Sequence, residues 1–181
     1  MERMRLLWER ARRDKLENLK TICAGDGQYL PFGDDSFDVV VVNGVLEWVP
    51  SGMEGNPGKL QRDFLAEIRR VLKPSGSLLL GIENRNSWKT WFRNKDGHTG
   101  LRFVPWLPRI LASLYSRICG KGPYRNWLYS SGQYAKLLRG VGLDRAEFHV
   151  PLPGYHHPVW MCPLQDSEGI AKRVARPVEG F

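Results

Sequence analysis

The 181-residue chain is long enough for one domain with a real core and too short for two comfortable ones. Its 42% hydrophobic and 25% charged content is that of a globular protein, and no run of about 18 apolar residues marks a membrane-crossing helix. The net charge of +8 is uneven, since residues 1–87 hold 13 basic and 13 acidic side chains and the remainder 14 basic and 6 acidic. A basic second half suits an anionic substrate, a membrane surface or nucleic acid, or serves solubility alone. Cys23, Cys119 and Cys162 are odd in number and lack metal-ligand spacing, which points to free thiols in a reducing, cytoplasmic setting. The first residues also lack the apolar core of a signal peptide.

In chain order, Met4, Leu7, Trp8 and Ala11 fall at helical spacing and predict an amphipathic helix from Met1 to about Lys15. Leu19 to Ala24 reads as a short strand ending at an acidic turn, Gly25-Asp26-Gly27. Phe37-Asp38 then leads into four valines, Val39 to Val42, which predict a strand buried on both faces of a parallel sheet. Asn43-Gly44 closes that strand at its carboxyl end, where open α/β sheets place their ligands. Val45 to Val49 continues apolar as a short turn or helix, and Pro50 to Gly58 is a loop.

Leu60, Phe64, Leu65, Ile68, Val71 and Leu72 follow a 3.6 period, with Asn56-Pro57 to start the helix and Lys73 to Gly76 to stop it. Ser77 to Ile82 is a second buried strand, ending in Glu83-Asn84-Arg85. Strand, loop, helix, turn and strand make a βαβ unit. Further on, Pro105 to Cys119 is helical. Ser131 can cap a helix that Gly142 ends, Ala146 to Leu152 is a strand, and the tail from Gln165 is loose.

Two blocks carry a resemblance. Gly25-Asp26, Leu30-Pro31-Phe32 and Phe37-Asp38-Val39-Val40 form the first, and Phe64 to Leu78 the second. In content and spacing they resemble class I S-adenosylmethionine-dependent methyltransferases. A narrower likeness, in Asn43 to Val49, Ile82 to Arg85, Asp96 to Gly100 and Pro153-Gly154-Tyr155, is to a bacterial subgroup that accompanies glycosyltransferases and surface-polysaccharide genes. The resemblance implies an α/β fold: a truncated Rossmann-like methyltransferase sheet with flanking helices. It is truncated because the family's glycine-rich strand, loop and helix have no counterpart here. Three regions are expected: residues 1–85 as a partial cofactor-binding core, 86–164 as the substrate-side lid with the last strands, and 165–181 as a tail.

For S-adenosylmethionine the resemblance implies Gly25, Asp26, Gly27, Asn43 and Gly44. Asp26 would accept from the adenine amino group, Gly25 and Gly27 would allow close approach, and Asn43-Gly44 would face the methionine part and the methyl. Turn duty alone also explains the glycines and the aspartate. Glu47, an acid among apolar neighbours, could orient a substrate or the sulfonium cation. His98, in a glycine-bounded loop, is the candidate base for a hydroxyl acceptor. Glu83, Asn84 and Arg85 are expected to reach the same crevice as substrate contacts, with a surface turn as the equal alternative. His156-His157 lacks further ligands at metal spacing, so no metal site is expected.

The implied reaction is methyl transfer to a saccharide or another envelope metabolite, and the competing reading is a methyltransferase-like binding module without turnover. Nucleic acid is the less expected partner, because Trp88, Trp91 and Trp106 read better as lid or core than as a stacking platform. With the family's first strands missing, Leu19–Ala24 is expected to pair beside Phe37–Val42, with homodimerisation through that strand edge as the other outcome.

Overall fold

The computed structural model describes residues 2–23, 28–86, 96 and 99–174 of the chain. Helix α1 (Glu2–Arg13) forms as its periodicity predicts, with an exposed Arg5–Glu9 pair one turn apart at 2.9 Å. Strand β1 (Phe37–Asn43) runs parallel to β2 (Leu72–Gly81), and helix α2 (Pro57–Val71) joins them. The expected βαβ unit is therefore present. At the start of α2 the Asn56 side chain accepts from the Lys59 N–H at 3.0 Å, and Pro57 occupies the first turn, where a missing N–H costs nothing.

The turn expected at Lys73–Gly76 is absorbed into β2. Helix α2 ends at Val71 and the strand begins at Leu72, with Phe37 opposite Leu72 but Val39 opposite Ser77. The extra residues bulge out of the ladder between those pairs. Gly76 makes the bulge possible, since a Cβ there would stand 3.0 Å from both the Lys73 and the Phe37 carbonyl oxygens.

The four valines are not buried on both faces. Val42 is 4% exposed and Val40 half-buried, whereas Val39 and Val41 are 59% and 62% exposed. Leu79 of β2 shares that open side at 57%. The reason is coverage. Helix α2 and a later helix, α4 (Ser131–Arg139), both pack on the face carrying Val40, Val42, Leu78 and Leu80. Among the described residues nothing covers the opposite face.

The strand expected at Leu19–Ala24 does not form over its described part, and it does not pair with β1. Residues 19–23 have no regular structure, with Leu19 and Ile22 exposed, and Ala24 lies outside the described residues. Without a second strand to supply hydrogen bonds or a face to bury against, a short apolar run gains nothing from extending. Among the described residues β1 is paired on one edge only.

The second half brings helix α3 (Arg109–Ile118), helix α4, a hairpin of β3 (His149–Leu152) with β4 (Trp160–Pro163), and helix α5 (Ser167–Val174). The cap of α4 is Ser130 rather than Ser131. Its hydroxyl accepts from the Gln133 N–H while the Gln133 carboxamide oxygen accepts from the Ser130 N–H, a complete capping box. Helix α4 ends at Gly140, before the expected Gly142. Strand β4 and helix α5 were unforeseen, and α5 occupies part of the supposedly loose tail.

One cluster of fully buried side chains joins Leu46, Leu65, Tyr134 and Leu138, and a separate one holds Val104, Ala112 and Tyr124. A strap at 125–129 ties the two halves. Arg125 donates to the Pro50, Met53 and Gly55 carbonyl oxygens, and Asn126 donates to that of Glu47. No helix among the described residues is long and apolar enough to cross a membrane.

Candidate functional site

Both parallel strands end at the same level, and the chain leaves them in ways fixed by local chemistry. Past Asn43 the ladder gains one more bond, from the Gly44 N–H to the Gly81 carbonyl at 2.8 Å. Gly44 then turns with φ +65, a conformation that other residues rarely adopt. A Cβ at Gly44 would lie 3.5 Å from the Tyr155 ring and 3.8 Å from that of His156. Those two rings are 4.1 Å apart and stand over the end of β1. Asn43 lies across the strand ends, where a side chain at Gly81 would run into it.

Leu46 and Glu47 are completely buried just beyond the turn. The Gln61 carboxamide donates to the Leu46 carbonyl at 3.1 Å, and Asn126 donates to that of Glu47 at 3.2 Å. Gln61 also donates to the Trp127 carbonyl and accepts from the Tyr129 hydroxyl at 2.9 Å. A buried polar network of this kind fixes the segment without an open cavity. Glu83 follows β2, and its carbonyl accepts from the Tyr134 hydroxyl at 3.3 Å.

Electrostatics links the ends of the two strands. The Tyr155 phenol is pushed up to about 12, first by burial and then by the charges of Glu83 and Glu47. Tyr134 is raised chiefly by burial, and Glu47 contributes there as well. At the carboxyl end of β1, Tyr155 therefore stands over the Gly44 turn, and the charges of Glu83 and of buried Glu47 act on its phenol.

Asn84 and Arg85 do not face that strand end, which corrects the expectation that all of 83–85 would. Asn84 bridges to the backbone of Tyr129, and its side chain accepts from the Asn86 N–H at 2.8 Å. Arg85 turns away to donate to the Trp106 and Leu107 carbonyl oxygens at 2.9 and 3.3 Å. It lines a second cavity of about 450 Å³ with Asn86, Trp106, Ser130 and Gln133. The strand-end rule places a backbone, and hydrogen-bonding partners decide where each side chain goes.

Gly25, Asp26, Gly27 and His98 lie outside the described residues. The sequence reading missed Tyr155 and His156 as crevice residues, and Gln61 and Asn126 as its supports. Gln61 carried a signal, being a carboxamide on the apolar stripe of α2. Tyr155 carried only its place in the Pro153-Gly154-Tyr155 likeness and His156 carried none, because only the β3–β4 connection brings them to Gly44. No group of three or more His, Cys, Asp and Glu among the described residues could hold a metal ion.

Residues 2–80 match the family described as "Methyltransferase domain". A ubiquinone/menaquinone biosynthesis C-methyltransferase of Cupriavidus necator is 28% identical over 150 residues, covering 77% of this chain and 54% of that protein. Erythromycin 3''-O-methyltransferase of Saccharopolyspora erythraea is 26% identical over 181 residues, covering 96% of this chain and 50% of that protein. Among solved structures, the YcgJ protein of Bacillus subtilis aligns over 98% of this chain and 59% of its own, at 16% identity and a TM-score of 0.47. Methyltransferases are thus what the chain is similar to, by a domain match over residues 2–80 and by relatives under 30% identical. The chain spans about half the length of the curated relatives it matches.

Proposed function

We propose that the protein takes part in methyl transfer from S-adenosylmethionine to a hydroxyl of a small acceptor, a saccharide or another envelope metabolite. The observation that carries this is the end of β1, where Tyr155 stands over the Gly44 turn and feels the charges of Glu83 and Glu47. That donor set fits the cofactor's sulfonium, since carboxylates and an aromatic face both favour a cation. The bound cofactor would supply the activated methyl and its own leaving group.

The chain's part is then alignment, exclusion of water and one proton. Gln61 and Asn126 hold the backbone at 46–47 in place, and Tyr155 closes the crevice from the hairpin side. His156, whose ring stands beside Gly44, is placed to take the acceptor's proton. His98 keeps that proposed role as the alternative base, and Asp26, with Gly25 and Gly27, remains the proposed adenine contact. Free Cys23, Cys119 and Cys162 suit the cytoplasm as the setting.

The second reading, a binding module without turnover, is favoured by one feature. The Tyr155 and His156 rings occupy the space over Gly44 into which a ligand would reach. Calorimetry separates the two. The crevice predicts that cationic S-adenosylmethionine binds more tightly than its neutral thioether product, and that Glu47→Gln removes the difference. Equal affinities would remove the crevice from cofactor recognition. No binding of either compound would leave only the module.

A further inference from the structure

Helix α3 keeps one side inward and turns an apolar side outward. Ala112 and Ser116 are fully buried, Ala112 in the cluster with Val104 and Tyr124. At about 100° per residue, the direction opposite that pair is the row Ile110, Leu114 and Ile118, with Leu111 at its edge. All four are half exposed or more, Ile110 at 83% and Ile118 at 76%. A single exposed aliphatic is ordinary. Four in one continuous stripe mark a surface that meets something.

The charge of this stretch is of one sign. From Gly97 to Leu143 the sequence holds seven Lys and Arg and no Asp or Glu. Two of the seven are spent on the fold, since Arg109 donates to the Leu128 carbonyl and Arg125 to those of Pro50, Met53 and Gly55. Arg102, Arg117 and Lys121 are exposed and make no ion pair among the described residues. By its helical position Arg117 borders the stripe, and Lys121 follows the last turn. A second copy of the chain is a poor cover for such a face. A two-fold contact of the stripe with itself would set Arg117 and Lys121 against their own counterparts. An anionic lipid surface meets both features at once, because the headgroup boundary takes the aliphatics and the phosphates take the cations.

We propose that α3 is a membrane-surface contact, lying along an anionic bilayer with Ile110, Leu111, Leu114 and Ile118 in the headgroup boundary and Arg117 and Lys121 against the lipid phosphates. With 10 residues the helix is about 15 Å long, half of what a span needs, so it lies in the surface and does not cross. Four aliphatic side chains make a shallow and reversible contact, and the cations supply the second signal that such a contact requires. The proposal uses no residue of the β1 end and stands apart from the methyl-transfer reading.

Sedimentation of the full chain with vesicles tests this, using phosphatidylcholine alone and phosphatidylcholine with about one third phosphatidylglycerol. The mixed vesicles should bind the chain about tenfold or more tightly than the neutral ones, and added salt should weaken that binding. Ile110→Ser with Ile118→Ser should weaken it about tenfold or more, which separates the stripe from attraction by net charge alone. Arg117→Glu with Lys121→Glu should weaken it by a similar factor. All four residues are exposed, so both double variants should keep the native melting temperature. Binding to neither vesicle, equal binding to both, or double serine variants that bind like the wild type overturns the proposal. A dimer seen by light scattering without vesicles, and dissolved by the two serines, also overturns it and names a second copy as the cover. None of these outcomes changes the S-adenosylmethionine titration, so a failure here is separate from a failure of methyl transfer.

Discussion

The two faces of the β1–β2 sheet are made of the same residue types and have different fates. On one face Val40, Val42, Leu78 and Leu80 meet α2 and α4, and Leu46, Leu65 and Leu72 complete a close-packed interior. On the other, Val39, Val41 and Leu79 are more than half exposed. The covered side is also stapled at its margin. The Glu67 carboxylate accepts from the Leu30 N–H at 2.8 Å and from Arg70, whose guanidinium reaches the Phe32 carbonyl and Asp34. Composition equips a strand for burial, and only the elements packed against it decide which residues are buried.

The sharpest break in this comparison is Leu65→Ala. Leu65 has no exposed surface and sits between Leu46 and Tyr134, so truncation should cost about 2–5 kcal/mol. Denaturant unfolding with an unchanged slope measures it, and a cost under about 1 kcal/mol would mean that the covered face is loosely packed.

Glu67→Gln should come next, at about 1–2 kcal/mol for a lost charge-assisted hydrogen bond. Arg70 holds the Glu67 carboxyl below its ordinary value, mainly by hydrogen bonding, and the bond from Leu30 adds to this. A lowered native value means that the unfolded chain takes up the proton first. The stabilisation is therefore present above the ordinary glutamate range and is lost as pH falls through the lowered native value. Stability measured from neutral to acid pH should fall less steeply in Glu67→Gln than in the wild type. Parallel curves would show that the staple does not persist in solution.

The smallest effect belongs to the open face. Val41→Thr should leave stability within about 0.5 kcal/mol. A loss as large as that of Val42→Thr would mean that Val41 is covered in solution. A dimer seen by light scattering and dissolved by Val41→Lys would name a second copy, paired at the free edge of β1, as the cover.

The βαβ unit was legible because its signals are local. Asn56-Pro57, the apolar stripe of α2 and the run of valines each act within a few residues. Three things were hidden for a physical reason. Burial of Val39 and Val41 depends on elements elsewhere in the chain, so a run of four valines cannot announce it. The bulge at Lys73–Gly76 looks like any Pro-Gly turn until the register of β1 is known. The crevice was half legible, since Gly44 and Glu47 sit at a strand end, but Tyr155 and His156 reach it from more than a hundred residues away. Arg85 was expected at the strand-end crevice, but its partners, the Trp106 and Leu107 carbonyls, come from a turn with no sequence tie to β2.

The strap at 125–129 has a consequence for how the chain can change its length. The bond from Asn126 to the Glu47 carbonyl closes a separation of 79 residues, and that from Tyr129 to Gln61 one of 68. Loop-closure entropy grows only with the logarithm of length, about 0.6 kcal/mol per doubling. The exposed turn at Gly120–Lys121 lies inside both loops. A dozen residues inserted there would lengthen each by a small fraction, a cost well below that of losing one strap hydrogen bond. The fastening is thus nearly indifferent to how much chain it encloses, and the region between β2 and the strap is where this architecture can accept new sequence while the crevice stays assembled.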